Sequence, residues 1–197
     1  WAAGRRQAAA SMRLAVYPAV AATGIVHVHN APELAERLHS RGYQLAVMLG
    51  DYPTIATRFD DELRARVLHG ERVVLLAADE RSIAAPLGPL QVRARAGTAW
   101  QGSWASSFCW LAGEWPGDGI LDDSFARVMP LSVITGFAQR MFPASVEAGL
   151  CVGWVHKPVA LSGMLPLGRG QVTITTFRLA ERLGVDPVAD MLFGRLL

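Results

Sequence analysis

Three sets of residues carry groups that could do chemistry. Acyl transfer needs a nucleophile on a sharp turn after a core strand, with a basic histidine in reach. Ser82, Cys109 and His156 are the candidates. After Leu76, however, the chain reads Ala77-Ala-Asp-Glu-Arg-Ser82, with neither a Cys at the turn nor a Gly-x-Ser-x-Gly signature. A base without its nucleophile performs no acyl transfer, so His156 reads as a structural histidine and no catalytic residue is assigned. His27 and His29 share one face of a strand and could begin a metal site. No third ligand is evident, and they read instead as partly buried strand histidines, with no metal expected. Glu114, Asp118, Asp122 and Asp123 fall in or just after a stretch holding Trp100, Trp104, Trp110 and Trp115. Paired carboxylates beside stacking rings suggest glycoside chemistry. Most of these carboxylates lie among Gly and Pro, in what read as solvated turns.

The elements that must position these groups follow from local pattern. Residues 24–30 are rich in β-branched side chains and predict a strand. Asn30 and Pro32 open a helix to about Arg41, with Leu34, Ala35 and Leu38 on one face, and Gly42 stops it. The apolar run 43–49 predicts a strand buried on both faces. Residues 50–53 form a loop, and Asp60 or Asp61 caps a helix carrying Leu63, Val67 and Leu68. Residues 72–77 are another buried strand. This alternation implies a parallel sheet with helices on its faces. The predicted class is α/β: three-layer, mostly parallel and flavodoxin-like, or close to it.

About residues 85–130 the rhythm breaks into a Trp-, Gly- and Pro-rich insertion. Strands resume near 131–135, 149–156 and 159–161, and 171–177 is a clear one. The turn 167–170 before it makes an antiparallel hairpin near the C-terminus. A short helix over 178–183 ends at Gly184. Asp186 caps the last helix with Pro187 at its first position, and Val188, Met191, Leu192 and Leu196 form its buried stripe. Residues 1–13 read as a linker and 14–197 as a single domain. A start on Trp1 suggests a piece of something longer.

Composition excludes several classes. The chain has 197 residues, enough for one large core, and its 51% apolar content is globular rather than disordered. Only 18% is charged, which suggests surface covered by another domain. The 19 basic residues, all Arg except Lys157, are scattered and give a net charge of only +2; no basic stripe marks a nucleic-acid surface. No apolar run approaches the roughly 18 residues of a membrane span. Cys109 and Cys151 are too few for a disulfide framework; they read as a single bridge or, the favoured reading, as two buried thiols. Asn30-Ala-Pro-Glu33 lacks the glycines of a phosphate-binding loop, so no flavin or dinucleotide cofactor is expected.

Several motifs resemble the C-terminal part of bacterial family 2 glycoside hydrolases, the β-galactosidase and β-glucuronidase-like enzymes. Gly168-x-Gly170-Gln-Val-Thr-Ile-Thr-Thr-Phe-Arg-Leu179 is similar to their closing strand, and Asp186-Pro187 with Ala189 and Leu192 to their final helix. Trp100-Gln-Gly-Ser-Trp-Ala105 with Phe108, Val128-Met-Pro130 with Gly136, and Asp61-Glu-Leu-Arg-Ala65 before Val73-Val-Leu-Leu-Ala77 also resemble that group. His156-Lys-Pro158 is similar to the segment that supplies a His base in amidotransferase-type folds. The resemblance covers roughly residues 60 to 197. It implies an accessory domain of flavodoxin-like or class I glutamine amidotransferase-like fold, since the catalytic carboxylates of such enzymes lie in an upstream (β/α)8 barrel of about 200 residues or more. It carries over no catalytic residue. The partners it implies are the other domains of the same glycosidase chain, or further copies of it.

Trp100, Trp104, Phe108 and Trp110 are then the expected contact face, because exposed apolar patches mark interfaces. Two alternatives make distinct structural predictions. An independent hydrolase needs Ser82 or Cys109 within hydrogen-bond distance of His156. A sugar-binding module needs a flat row of exposed Trp rings with polar groups at the rim.

Overall fold

The computed structural model describes residues 22–48, 50–101, 107–112, 125–137, 145–152 and 157–197. The 1–13 linker, Trp104, Trp115, His156 and the four carboxylates Glu114, Asp118, Asp122 and Asp123 lie outside these residues.

In chain order the strands are β1 (Ile25–His29), β2 (Gln44–Ala46), β3 (Thr54–Ala56), β4 (Arg72–Leu76), β5 (Gln91–Ala94), β6 (Ser107–Leu111), β7 (Ser132–Thr135), β8 (Ser145–Val152), β9 (Lys157–Leu167) and β10 (Gly170–Thr175). The helices are α1 (Pro32–Arg41), α2 (Asp61–Leu68), α3 (Leu179–Arg182) and α4 (Pro187–Leu196), with a 3-10 turn at Glu80–Ser82. Among the described residues, all ten strands join one sheet in the order β2-β1-β3-β4-β10-β9-β7-β5, and β8 pairs with both β9 and β6.

The sheet is mixed. β2-β1, β1-β3, β3-β4 and β4-β10 are parallel. β10-β9, β9-β7, β7-β5, β9-β8 and β8-β6 are antiparallel. Antiparallel pairing therefore reaches well beyond the predicted β9–β10 hairpin and outnumbers parallel pairing among the described strands. The reason lies in the stretch 85–130, which itself supplies β5 and β6, and in β9, eleven residues long. β9 is long enough to pair with three neighbours.

Side chains alternate along the central strands into two cores, one on each face of the sheet. Val74 and Leu76 of β4 join Leu34 and Leu38 of α1 and Val188 and Leu192 of α4. Val73 and Leu75 join Leu63 and Val67 of α2, with Val172 and Ile174 of β10. Burial of such side chains stabilises the fold by about 1.5–3 kcal/mol each.

The helix boundaries follow local chemistry. The Asp60 carboxylate accepts from the Leu63 N–H at 2.9 Å, capping α2. Asp186 accepts from the Val188 N–H at 2.9 Å ahead of Pro187, capping α4. Gly42 takes a left-handed conformation (φ 102°) that ends α1. The hairpin turn needs Gly168 for two reasons: its φ is +63°, and a β-carbon would lie 2.7 Å from the Leu68 α-carbon at the end of α2. No helix among the described residues is long and apolar enough to cross a membrane.

Two elements depart from the sequence pattern. The run 43–49 is not a doubly buried strand: β2 is three residues long, stands at the sheet edge, and leaves Gln44 and Leu45 exposed. The doubly buried place beside β1 belongs to β3, whose three residues Thr54, Ile55 and Ala56 are all buried.

Candidate functional site

β6 brings Trp110 opposite Gly149 of β8 in an antiparallel pair. Gly149 leaves room for the indole: a β-carbon there would fall 2.6 Å from Trp110 Cζ2. Phe137 uses Gly163 of β9 in the same way, with its Cζ 2.7 Å from where a β-carbon would stand. Trp100 arrives from the loop after β5. Its indole N–H donates to the Lys157 carbonyl at 3.1 Å. Arg95 holds that loop by donating from Nε to the Trp100 carbonyl (3.0 Å) and from Nη1 to the Pro130 carbonyl (2.9 Å).

Trp100 and Trp110 thereby line one groove of about 210 Å³, with Ile134, Phe137, Val146, Pro158 and Val159 among its walls. Trp110 is 38% exposed. Two polar hydrogens of the groove are engaged: the Trp100 indole N–H on the Lys157 carbonyl, and the Thr135 hydroxyl, which donates to the Gln91 carbonyl at 3.4 Å. Of the four predicted contact residues, two meet here; the Phe108 side chain and Trp104 lie outside the described residues.

The candidate nucleophiles are placed differently. Ser82 is buried, and its hydroxyl oxygen accepts from the Ala78 and Asp79 N–H groups at 3.1 and 3.4 Å. With Asp79 it forms a capping box on the 3-10 turn. Burial pushes the Cys109 thiol up, and the opposing charge of Arg95 does not offset this, so the thiol stays protonated. Cys109 and Cys151 are both free thiols.

His27 and His29 do share a face, as their spacing predicts, and they meet a charged network that local pattern does not reveal. Arg66 of α2 donates from Nη1 to His29 Nδ1 (3.2 Å) and from Nη2 to His27 Nδ1 (3.3 Å). It also pairs with Glu71 through Nε at 2.6 Å and Nη2 at 2.5 Å. His29 Nε2 stands 3.0 Å from an Asp60 carboxylate oxygen and 3.0 Å from the Asn30 side-chain Nδ2. Thr54 donates to Glu71 and accepts from Arg66 at 3.2 Å.

Burial pushes the Glu71 carboxyl up, but hydrogen bonds from Arg66 and Thr54 outweigh it and hold the group below the usual carboxylate range. Asp60 behaves alike: burial raises it, while hydrogen bonds from the Leu63 N–H and His29 bring it below its ordinary value. Burial lowers His27, and the charge of Arg66 lowers it further. The arrangement ties α2 to β1 and β3. Among the described residues no three His, Cys, Asp or Glu side chains gather as a metal site. Arg66, Glu71 and Thr54 were not singled out in the sequence, because their partners stand up to 39 residues away.

Comparison of the sequence with protein-family models and with curated proteins finds no match. The structure is similar in part to a β-galactosidase from Bacillus circulans sp. alkalophilus, with 12% identity and a TM-score of 0.45, covering 89% of this chain and 31% of that one. It is also similar in part to a β-galactosidase from Rahnella sp. R3, with 12% identity and a TM-score of 0.40, covering 88% of this chain and 31% of that one. The chain thus spans about a third of the length of these β-galactosidases.

Proposed function

We propose that this chain is a non-catalytic accessory domain of a larger glycoside hydrolase of the β-galactosidase and β-glucuronidase-like type. Its groove at Trp100 and Trp110 docks a neighbouring domain of the same enzyme or a further copy of it. The motif resemblance over residues 60–197 supports the family reading, including its family 2 assignment. The observation that carries the accessory role is the Ser82 hydroxyl, buried and bonded to two backbone N–H groups where a hydrolase would need an exposed nucleophile.

The same reading gives the chain a three-layer, flavodoxin-like or class I glutamine amidotransferase-like fold. The run β2-β1-β3-β4-β10 of parallel strands supports it, with α1 and α4 on one face and α2 on the other. The groove favours an apolar partner. Trp100 and Thr135 have their polar atoms bonded to backbone carbonyls, which leaves little for sugar hydroxyls. A sugar-binding module is the second reading, and the exposure of Trp110 is what favours it.

The test is hydrolysis of chromogenic β-galactosides, β-glucuronides and simple esters by the 197-residue chain, beside the complete product of its gene. The expected result is turnover of a glycoside by the complete product and of nothing by the chain. Turnover by the chain itself would overturn the proposal. Saturable binding of galactose or glucuronic acid, lost in Trp110→Ala, would select the sugar-binding reading instead.

A further inference from the structure

A second cavity, of about 280 Å³, lies between the sheet and α4. It is separate from the tryptophan groove and shares no lining residue with it. Leu111, Ala148, Phe177, Leu179 and Leu192 make its walls, and all five are buried. The exposed Ala112 and Arg195 and the half-buried Glu147 also line it. At its inner wall is Ser162 of β9, only 4% exposed. The Ser162 hydroxyl is buried and has no hydrogen-bond partner among the described residues. Leaving a buried hydroxyl unpaired is costly, and native structures satisfy nearly all such groups.

The strand geometry explains why Ser162 faces this way. In the β8–β9 ladder Val146 opposes Gly163, Ala148 opposes Ser162, and Gly149 opposes Ala160, so the register shifts twice. Leu161 is thereby an extra residue on β9, and Glu147 an extra residue on β8. An extra residue breaks the alternation of a strand and re-aims its neighbours. Leu161 packs in the α4-side core, and Ser162, next to it, also faces that side and lines the cavity. The Leu161 carbonyl accepts from the Thr176 N–H at 2.8 Å and from the Thr176 hydroxyl at 3.1 Å, which fixes the bulge in place. The neighbouring Thr175 hydroxyl, on the same wall, is already bonded to the Leu161 carbonyl at 3.3 Å. Ser162 alone among these hydroxyls is left to recognise something else.

We infer that this cavity is a binding site for a small, neutral, mainly apolar molecule bearing one hydroxyl or carbonyl group, which Ser162 recognises. The five buried apolar side chains around Ser162 disfavour a charged group beside it, because burying an uncompensated charge is prohibitive. The volume is nearly twice that of an apolar cavity of about 150 Å³ that takes benzene. A fused bicyclic ring or a short alkyl chain fits this space, with its polar group turned inward to Ser162.

Binding of 2-naphthol and of naphthalene to the 197-residue chain tests this, followed by calorimetry or ligand-observed NMR. The wild type is expected to bind both saturably, and 2-naphthol roughly five- to ten-fold more tightly, the worth of one hydrogen bond to a buried hydroxyl. Ser162→Ala should remove that preference while keeping naphthalene affinity. Leu196→Trp, at a partly exposed lining position, should weaken both ligands ten-fold or more. If neither compound binds saturably to the folded wild type, the proposal fails. It fails equally if Ser162→Ala keeps the preference, or if Leu196→Trp binds both like the wild type. Should Ser162→Ala not fold, Ser162→Cys takes its place, with the preference expected to shrink.

Discussion

Trp110 covers the α-carbon of Gly149 across the β6–β8 pair, so closely that a β-carbon would fall within 2.8 Å of three indole atoms. The glycine is therefore required by packing, and the position of the ring depends on it. In Gly149→Ala the indole must move or the strands must part, which costs about 1–3 kcal/mol, as for other overpacked sites. The expected result is a lower thermal midpoint and a shifted Trp emission maximum relative to the wild type. Unchanged emission and stability would mean that the ring does not rest on Gly149.

Arg66 joins α2 to Glu71 and to both strand histidines. Arg66→Met would leave the Glu71 carboxylate nearly buried beside Thr54 with its main partner gone. Removing one member of a buried pair is destabilising by about 3 kcal/mol or more, and urea midpoints should show it. The double variant Arg66→Met with Glu71→Met should recover much of that loss, because no unpaired charge then remains. Equal losses in the single and double variants would show that the pair itself is not what matters.

His27 makes stability depend on pH in a defined window. Burial and the Arg66 charge hold its folded pKa below the ordinary 6.5, against the opposing charges of Glu71 and Glu62. The unfolded chain therefore takes up the proton first as pH falls. This contribution to stability is complete above pH 6.5 and is lost as pH falls through the folded value. Glu71 and Asp60, held low in the fold, add a loss that begins only below their ordinary values of 4.5 and 3.8. Urea midpoints measured between pH 7.5 and 5.0 should decline in the wild type and decline less in His27→Gln. Parallel profiles for the two proteins would contradict this assignment.

Ser82 is expected to affect folding and not chemistry. Ser82→Ala leaves the Ala78 and Asp79 N–H groups without their acceptor and should lower stability by about 1–2 kcal/mol. Any glycoside hydrolysis by the complete gene product should keep its kcat at a temperature where the variant is folded. A collapse of kcat there, without unfolding, would make Ser82 a participant in the reaction.

Much of the architecture was readable from neighbouring residues. Gly42, Asp60 and the Asp186-Pro187 step end or start helices through bonds within a few positions, so type and spacing suffice. Val73-Val-Leu-Leu76 reads as a doubly buried strand because a central strand hides four consecutive apolar residues, and β4, with Arg72 exposed at its start, lies between β3 and β10. The hairpin at 167–170 follows from its glycines. Trp100 and Trp110 stand out in the sequence by type alone, and the fold brings both to one groove.

Other features were decided only when distant segments met. The run 43–49 and the residues Thr54-Ile-Ala56 differ in apolar content in the wrong direction: the richer run forms the exposed edge, and the poorer one is buried beside β1. Neighbouring strands set that difference, and they are not encoded within seven residues. The Arg66 network joins groups up to 39 residues apart, so no local periodicity marks it. Ser162 is one serine among several in the sequence. The register shifts between β8 and β9 turn it into a cavity, and register arises only from pairing two strands along their full length.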